Sequence, residues 1–313
     1  MSSPLAAPVA AIRVGTRRSP LARRQTELVV EALNGVWRDL VCGVAAIDTS
    51  GDRTQASGEP LPEIGGKGLF TAELERALRE HEIDIAVHSL KDLPVDQSVD
   101  VVIGAVCPRE DARDCVVSGG MPLAELPAGS VVGTSSLRRT AQLRAHHPGL
   151  EPRSVRGNVD TRVRKVRDGE VDAVLLAAAG VVRLELESEV SEWLEPEQML
   201  PAPGQGALAI QCREGDERVL ELLRAVDDAP TANAVAAERA FLRALGGGCA
   251  APVGAFAAVT TDGGVRLDGL VASPDGRDVV RVSGAGLPEE VGERLAREAL
   301  AAGADRILAA SGA

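Results

Sequence analysis

The sequence predicts an α/β protein with largely parallel sheets, organised as two similar lobes and a third, smaller α/β region. Three observations predict it. Strand-like apolar runs alternate with stretches of helical periodicity. One strand-to-helix unit recurs, because Val14-Gly15-Thr16 and Glu82-Ile83-Asp84-Ile85 are echoed by Val132-Gly133-Thr134 and Glu170-Val171-Asp172-Ala173. A proline-rich stretch over 195–205 and a second break over 227–231 set off the C-terminal part of the chain.

Taken in order, residues 12–16 form a short strand, and Ser19-Pro20 supplies a helix N-cap and a first-turn proline. The next helix carries Leu21, Gln25, Leu28, Val29, Ala32, Leu33 and Val36 at 3.6-residue spacing. Residues 41–47 are the next strand and 48–68 a polar, Gly/Pro-rich loop. Residues 70–80 return to helix and 83–87 to strand. The first pair of matched tripeptides lies 118 residues apart and the second pair of tetrapeptides 88, so the first lobe holds about 30 extra residues, roughly that loop. Each lobe points a helix N-terminus, with free N–H groups, at a cleft. The stretch 195–205 reads as a linker, and the strand 207–212 suits either lobe. The third region holds a helix over 232–245, a glycine-rich loop, strands over 253–259, 265–272 and 279–283, and a helix over 289–302.

The chain has 313 residues, 45% apolar and 26% charged, which excludes a disulfide miniprotein, a disordered tail and a fibrous repeat. A net charge of −12, aromatics at 2% and the lack of tyrosine argue against a nucleic-acid coat or a base-stacking surface. The longest apolar stretch, 173–182, falls far short of a membrane span. The N-terminal MSSPLAAPVAA has no basic region, and Pro4 and Pro8 break its apolar run. Five cysteines at irregular spacing (42, 107, 115, 212, 249) make no metal pattern and point to free thiols in a reducing, cytoplasmic setting. Cys42 and Cys212 lie in strand-like runs and read as small buried hydrophobes. The histidines at 81, 88, 146 and 147 read as solvated or packed rather than metal-bound.

The strongest constellation is an arginine field. Between Gly133 and Arg167 nine basic residues face only Glu151 and Asp160, a surplus of seven positive charges on an acidic protein. Such an island fits a polyanionic ligand, since guanidinium forks clamp oxyanions. Arg164, Lys165 and Arg167 read as a solvated helix face. Arg138 and Arg139 follow the helix start Thr134-Ser135-Ser136, and Arg156 sits in a strand-to-helix turn with Gly157 and Asn158. Only three lysines accompany 31 arginines: Lys67, Lys91 and Lys165. Gly65-Gly66-Lys67-Gly68 is no phosphate loop, because Gly68 stands where Ser or Thr would hold magnesium. It reads as a loop presenting one amine. Asp92, in His88-Ser89-Leu90-Lys91-Asp92, lies past the C-terminal end of a strand, where α/β folds bind ligands. It reads equally as an acid, base or cation stabiliser and as a turn aspartate. Cys249 follows three glycines in a loop without bulky neighbours, a setting in which a thiol can be approached.

With these residues in view, the sequence closely resembles the porphobilinogen deaminase (hydroxymethylbilane synthase) family of tetrapyrrole biosynthesis. The resemblance runs over about 12–310 and rests on RVGTRRSPLA (13–22), GGKGLFTAELE (65–75), DIAVHSLKDLP (84–94), VGTSSLRR (132–139), RSVRGNVDTR (153–162), PAPGQGALAI (201–210) and GGGCAAPVGA (246–255). It implies three domains: residues 1–107 with 207–224, residues 112–200, and residues 229–313. The first two resemble the doubly wound lobes of periplasmic binding proteins, and the third is a smaller α/β domain carrying the cysteine. It implies a transferase that joins four porphobilinogen molecules head to tail, releases four ammonia and yields hydroxymethylbilane. A dipyrromethane cofactor, covalent on the cysteine matching Cys249, is implied as primer, and Asp92 as the catalytic aspartate. Cofactor contacts are implied for Lys91, Ser136, Arg138, Arg139, Arg162 and Arg183, and substrate contacts for Arg17, Ser19, Lys67 and Arg156. The pyrroles' acetates and propionates would account for the arginine field.

The chain departs from the family pattern in three places. Glu63 stands where some members have lysine, Gly246 where an acid is frequent, and Asp160 where glycine is common. The expected partner is porphobilinogen alone, with no metal, nucleic acid or membrane, and the expected state is a monomer. A polycarboxylate-binding two-lobed receptor would share the lobes and arginines but not the cysteine loop. A DNA-binding regulator would need a helix-turn-helix, and none is found.

Overall fold

The computed structural model describes residues 9–51, 71–96, 98–248 and 251–311. These form two compact units, one of residues up to Arg109 together with Ala207–Ala232, the other of Glu110–Gly206 together with the residues from Asn233 onward.

In the first unit, β1 (Ala11–Arg17) leads into α1 (Pro20–Val36). Ser19 caps that helix, its Oγ accepting from the Ala22 N–H at 3.3 Å, and Pro20 fills the first turn where no N–H is needed. The buried stripe is Ala22, Gln25, Thr26, Val29 and Leu33. Ala32 is exposed and Leu21 and Leu28 are half-buried, so the helix is rotated slightly from the expected apolar face. After β2 (Val41–Ile47), α2 (Ala72–Arg79), β3 (Ile85–Ser89) and β4 (Val101–Val106), the chain enters the second unit.

There β5 (Asp114–Val117), β6 (Val131–Gly133), α3 (Leu137–His146), β7 (Glu151–Arg153), α4 (Val159–Arg167), β8 (Ala173–Ala177), α5 (Ala178–Arg183) and β9 (Glu192–Leu194) come in turn. The chain then returns to the first unit as β10 (Leu208–Arg213) and α6 (Glu217–Arg224). A helix α7 (Ala229–Ala244) leads back into the second unit, which an antiparallel meander of β11 (Val253–Val259), β12 (Val265–Ala272) and β13 (Val279–Gly286) and helices α8 (Pro288–Ala299) and α9 (Asp305–Ala310) complete.

The two five-stranded sheets have the same plan. Their orders are β2-β1-β3-β10-β4 and β7-β6-β8-β5-β9. In each, three strands run parallel and the fourth is antiparallel to both of its neighbours. The expectation of largely parallel sheets holds for these two, in each of which four strands point one way and one, β10 or β5, opposes them, while the meander is wholly antiparallel. The antiparallel strand of the first sheet comes from late in the chain, and that of the second from just after the first unit ends.

The sequence repeat is a repeat of hydrogen bonding. Asp84 accepts from the Arg13 N–H at 2.7 Å, and Asp172 from the Val131 N–H at 2.6 Å. Val14 then pairs with Ile85 and Val132 with Ala173, the same register in both sheets. The matched glycines are required by close packing. A Cβ at Gly15 would lie 2.3 Å from Ile83 Cδ1, and one at Gly133 2.4 Å from Val155 Cγ2 and 2.9 Å from Val174 Cγ1.

The stretch over 195–205 is not a loose linker. Gln205 is buried, and its amide donates to the carbonyls of Ala112 (2.8 Å) and Arg113 (3.1 Å) and to Asp114 Oδ1 (2.7 Å). Glu238 of α7, fully buried, accepts from the N–H groups of Gly204 (2.6 Å) and Ala257 (2.7 Å). Cys212 is buried as expected, but Cys42 is only half-buried because β2 is a sheet edge.

Gly133→Ala should destabilise the protein by about 1–3 kcal/mol through overpacking against Val155 and Val174, read as a lower urea midpoint. An unchanged midpoint would show that the two valines yield without cost.

Candidate anion-binding and catalytic site

In the first sheet β1 and β3 are parallel neighbours, so their C-terminal ends share one edge. Arg17 ends β1 and Ser19 caps the helix after it, while β3 runs into a single 3₁₀ turn, Leu90–Asp92. Arg17, Ser19, Lys91 and Asp92, all half-buried, thus gather at that edge. The turn is pinned by the Leu90 N–H donating to Ala207 O at 3.0 Å and the Leu93 N–H to Leu90 O at 3.1 Å. Gln25 Nε2 donates to Ser89 Oγ at 2.8 Å, which ties α1 to the end of β3. Asp92 therefore stands outside the carboxyl end of a parallel strand, the place where open α/β sheets bind ligands.

Beneath it lies His88, buried in β3. Burial, and then the nearby Arg17 guanidinium, pushes its pKa down to about 3. The ring is held neutral and packed, one of the two roles expected of the histidines.

The second unit repeats the arrangement with arginines. Ser136 caps α3, its Oγ accepting from the Arg139 N–H at 3.4 Å. Arg156 is half-buried in the turn between β7 and α4, where Gly157 takes φ +112°. An alanine there would also strike Thr161 at 2.8 Å. Arg162 lies half-buried on α4. Arg183 ends α5 and is buried, its Nη2 donating to Gly206 O at 2.6 Å.

Arg138 and Arg139 are buried side by side against Asp114, which is wholly inaccessible at the start of β5. Arg138 Nη1 lies 2.8 Å from Asp114 Oδ2 and Arg139 Nη2 2.7 Å from Oδ1. Arg138 Nη1 also donates to Leu200 O at 2.6 Å and Arg139 Nη1 to Leu175 O at 3.0 Å. Burial alone would raise the Asp114 pKa, but the two guanidiniums outweigh it and hold the carboxyl well below the usual range. The arginine field thus divides. Arg164 and Arg167 have side chains more than 60% exposed and pair with Asp160 and Glu189, as a solvated face should, whereas Lys165, expected on the same face, is half-buried and pairs with Glu170.

Lys67, Glu63 and Cys249 lie outside the described residues. Sequence reasoning missed Asp114, Gln205 and Glu238. The signal for Asp114 was a carboxylate at the head of the apolar run Cys115-Val116-Val117, a place that needs a cationic partner. Among the described residues no His/Cys/Asp/Glu group is arranged to hold a metal ion, and no helix is long and apolar enough to cross a membrane.

Two sheets that each gather charged side chains at strand C-termini, one with an aspartate and the other with buried arginines, define an α/β protein built to hold an anionic ligand and act on it. Comparison with known proteins gives the family. Residues 12–221 match the model described as "Porphobilinogen deaminase, dipyromethane cofactor binding domain", and residues 232–301 that of "Porphobilinogen deaminase, C-terminal domain". The chain is 48% identical to porphobilinogen deaminase of Brevibacillus brevis, covering 95% of this chain and 96% of that protein. It is 46% identical to that of Thermus thermophilus, with 95% and 97% covered. Among solved structures, a probable amino-acid ABC transporter extracellular-binding protein from Bacillus subtilis aligns with 69% of this chain and 90% of its own, at 12% identity and a TM-score of 0.40. The chain belongs to the porphobilinogen deaminase family, transferases of tetrapyrrole biosynthesis with a dipyrromethane cofactor.

The buried arginines fit a carboxylate-bearing cofactor. Two guanidiniums offer ten N–H hydrogens, and among the described residues they hydrogen-bond three acceptors, Asp114 Oδ1, Leu200 O and Leu175 O, while Asp114 Oδ2 faces Arg138 as an ion pair. The Nε of each is buried without an acceptor.

The depressed pKa of His88 carries a stability signature. Unfolded, its ring binds a proton below about pH 6.5, whereas the folded ring does so only near 3. Its contribution is therefore complete above pH 6.5 and is lost as pH falls from 6.5 towards 3. A His88→Asn variant should show a shallower fall in urea midpoint than wild type between pH 7 and 4. Parallel curves would mean that the native ring accepts a proton as readily as the unfolded one.

Proposed function

We propose that this chain condenses four porphobilinogen molecules stepwise into hydroxymethylbilane with release of four ammonia, and that the side chains named above divide the work. Two observations carry the reading in a chain of this family: within the first unit, a half-buried Asp92 at a strand C-terminus, and within the second, a buried, under-neutralised arginine cluster. When bound, the dipyrromethane cofactor supplies the covalent primer.

Cys249 is the attachment residue. Support comes from the other thiols: burial raises the pKa of Cys115 to about 12 and of Cys212 to about 11, and also raises that of Cys42. None of these three offers a ready thiolate, whereas Cys249 comes directly after Gly246-Gly247-Gly248. Lys91, Ser136, Arg138, Arg139, Arg162 and Arg183 hold the cofactor's carboxylates, and Arg17, Ser19, Lys67 and Arg156 those of the incoming porphobilinogen. Guanidinium forks suit this work because each acetate and propionate is a planar two-oxygen acceptor.

Asp92 assists departure of the substrate's amine and stabilises the positive charge left on the pyrrole methylene. A carboxylate fixed beside a developing cation acts as a pre-organised countercharge, the mirror of an oxyanion hole. The domains are 1–107 with 207–224, 112–200, and 229–313. The enzyme works as a monomer in the cytoplasm, a reading to which the free thiols of Cys42, Cys107, Cys115 and Cys212 lend support.

Two measurements test this. Protein purified from a cell that makes porphobilinogen should weigh more than its sequence by two pyrrole units, and Cys249→Ser should run at sequence mass and be inactive. An active wild-type chain at sequence mass, or an adduct mapped to another cysteine, would overturn the attachment. Asp92→Asn keeps the shape and removes the charge, so turnover should fall at least ~10²-fold while the chain stays folded. Near-normal product formation would reduce Asp92 to a turn residue.

A further inference from the structure

The Arg138–Arg139–Asp114 cluster is buried and electrically unbalanced. Two guanidiniums face one carboxylate, and among the described residues Asp114 is the one acid paired with either of them. The third polar group on Asp114, the Gln205 amide, is neutral and donates to Oδ1 at 2.7 Å. Burial weakens the hold of Arg138 on its proton, and Arg139 beside it pushes the same way against the pull of Asp114. A net charge of about one positive unit is thus left where water cannot screen it.

We infer that Asp114 is a positioning residue of the anion site, cancelling one of the two buried guanidinium charges so that the pair accepts a single ligand carboxylate. This rests on the reading of Arg138 and Arg139 as carboxylate binders. The geometry fits the role. Asp114 bridges the two arginines through separate oxygens, fixing their spacing, and leaves both Nε N–H groups without an acceptor. With no Asp114 charge, the cluster would carry two surplus positive charges. One ligand carboxylate would leave it still positive, and a second anion would bind and compete. A carboxylate serving packing alone would have no such consequence.

The test uses the holoenzyme and inorganic phosphate at constant ionic strength. In Asp114→Asn, phosphate should raise the melting temperature. That rise should be half-maximal at phosphate concentrations about 10- to 100-fold lower than any effect on wild type. Asp114→Glu, which keeps the charge, should respond as wild type, and so should Gln205→Leu, which removes a neutral contact. If Asp114→Asn melts lower than wild type by the same margin with and without phosphate, the residue is a structural anchor and the inference fails. Should Asp114→Asn yield no folded protein, Asp114→Asn/Arg138→Gln restores the single surplus charge and is expected to fold. Loss of folding in both overturns the inference. The underlying reading fails separately, if Arg138→Gln and Arg139→Gln chains carry the full added mass and turn over normally.

Discussion

The buried carboxylate of Asp114 is the interaction on which the second unit's arginine cluster depends. Without it, Arg138 and Arg139 would be two like charges in contact, out of reach of water. Removing one partner from a buried ion pair typically costs about 3–5 kcal/mol, because the other charge is left uncompensated. The same carboxylate takes the Gln205 amide, and Arg138 takes Leu200 O, so the cluster also holds the segment 200–206 against the sheet. Gln142 strengthens that hold, its Oε1 accepting from the Leu200 N–H at 2.7 Å and its Nε2 donating to Leu200 O at 3.1 Å. A segment rich in proline, with few N–H groups to offer, is thus secured by side chains.

The repeated sheet explains why the charged groups fall where they do. In both units an aspartate clamps the backbone at the start of the first central strand, a glycine permits close packing further along it, and a serine caps the helix beyond. These devices fix where each strand ends. Parallel strands with a common register then deliver their C-terminal residues to one edge. The two units use that edge differently, the first carrying Lys91 and Asp92 on a 3₁₀ turn, the second burying guanidiniums at the start of α3.

Much of this was legible in the residues themselves. Ser19-Pro20 and Thr134-Ser135-Ser136 carry their helix starts in short-range chemistry, because a cap needs only its own side chain and the next turn's N–H groups. The exposed Arg164 and Arg167 could be told from the inner arginines by their place on a helix face. The motifs from RVGTRRSPLA to GGGCAAPVGA carried the family.

Tertiary structure alone decided the rest, and the reason is distance along the chain. That β10 enters the first sheet antiparallel, and β5 the second, depends on hydrogen bonds to strands far away in sequence, such as Ile210 with Val87 and Val116 with Leu175. The sequence marked Arg138 and Arg139 as anion binders but gave no sign that Asp114, 24 and 25 residues earlier, stands between them. A local pattern records what a residue is and what lies within a turn or two of it. The charge balance of a buried cluster is set by whichever distant residues the fold brings into contact.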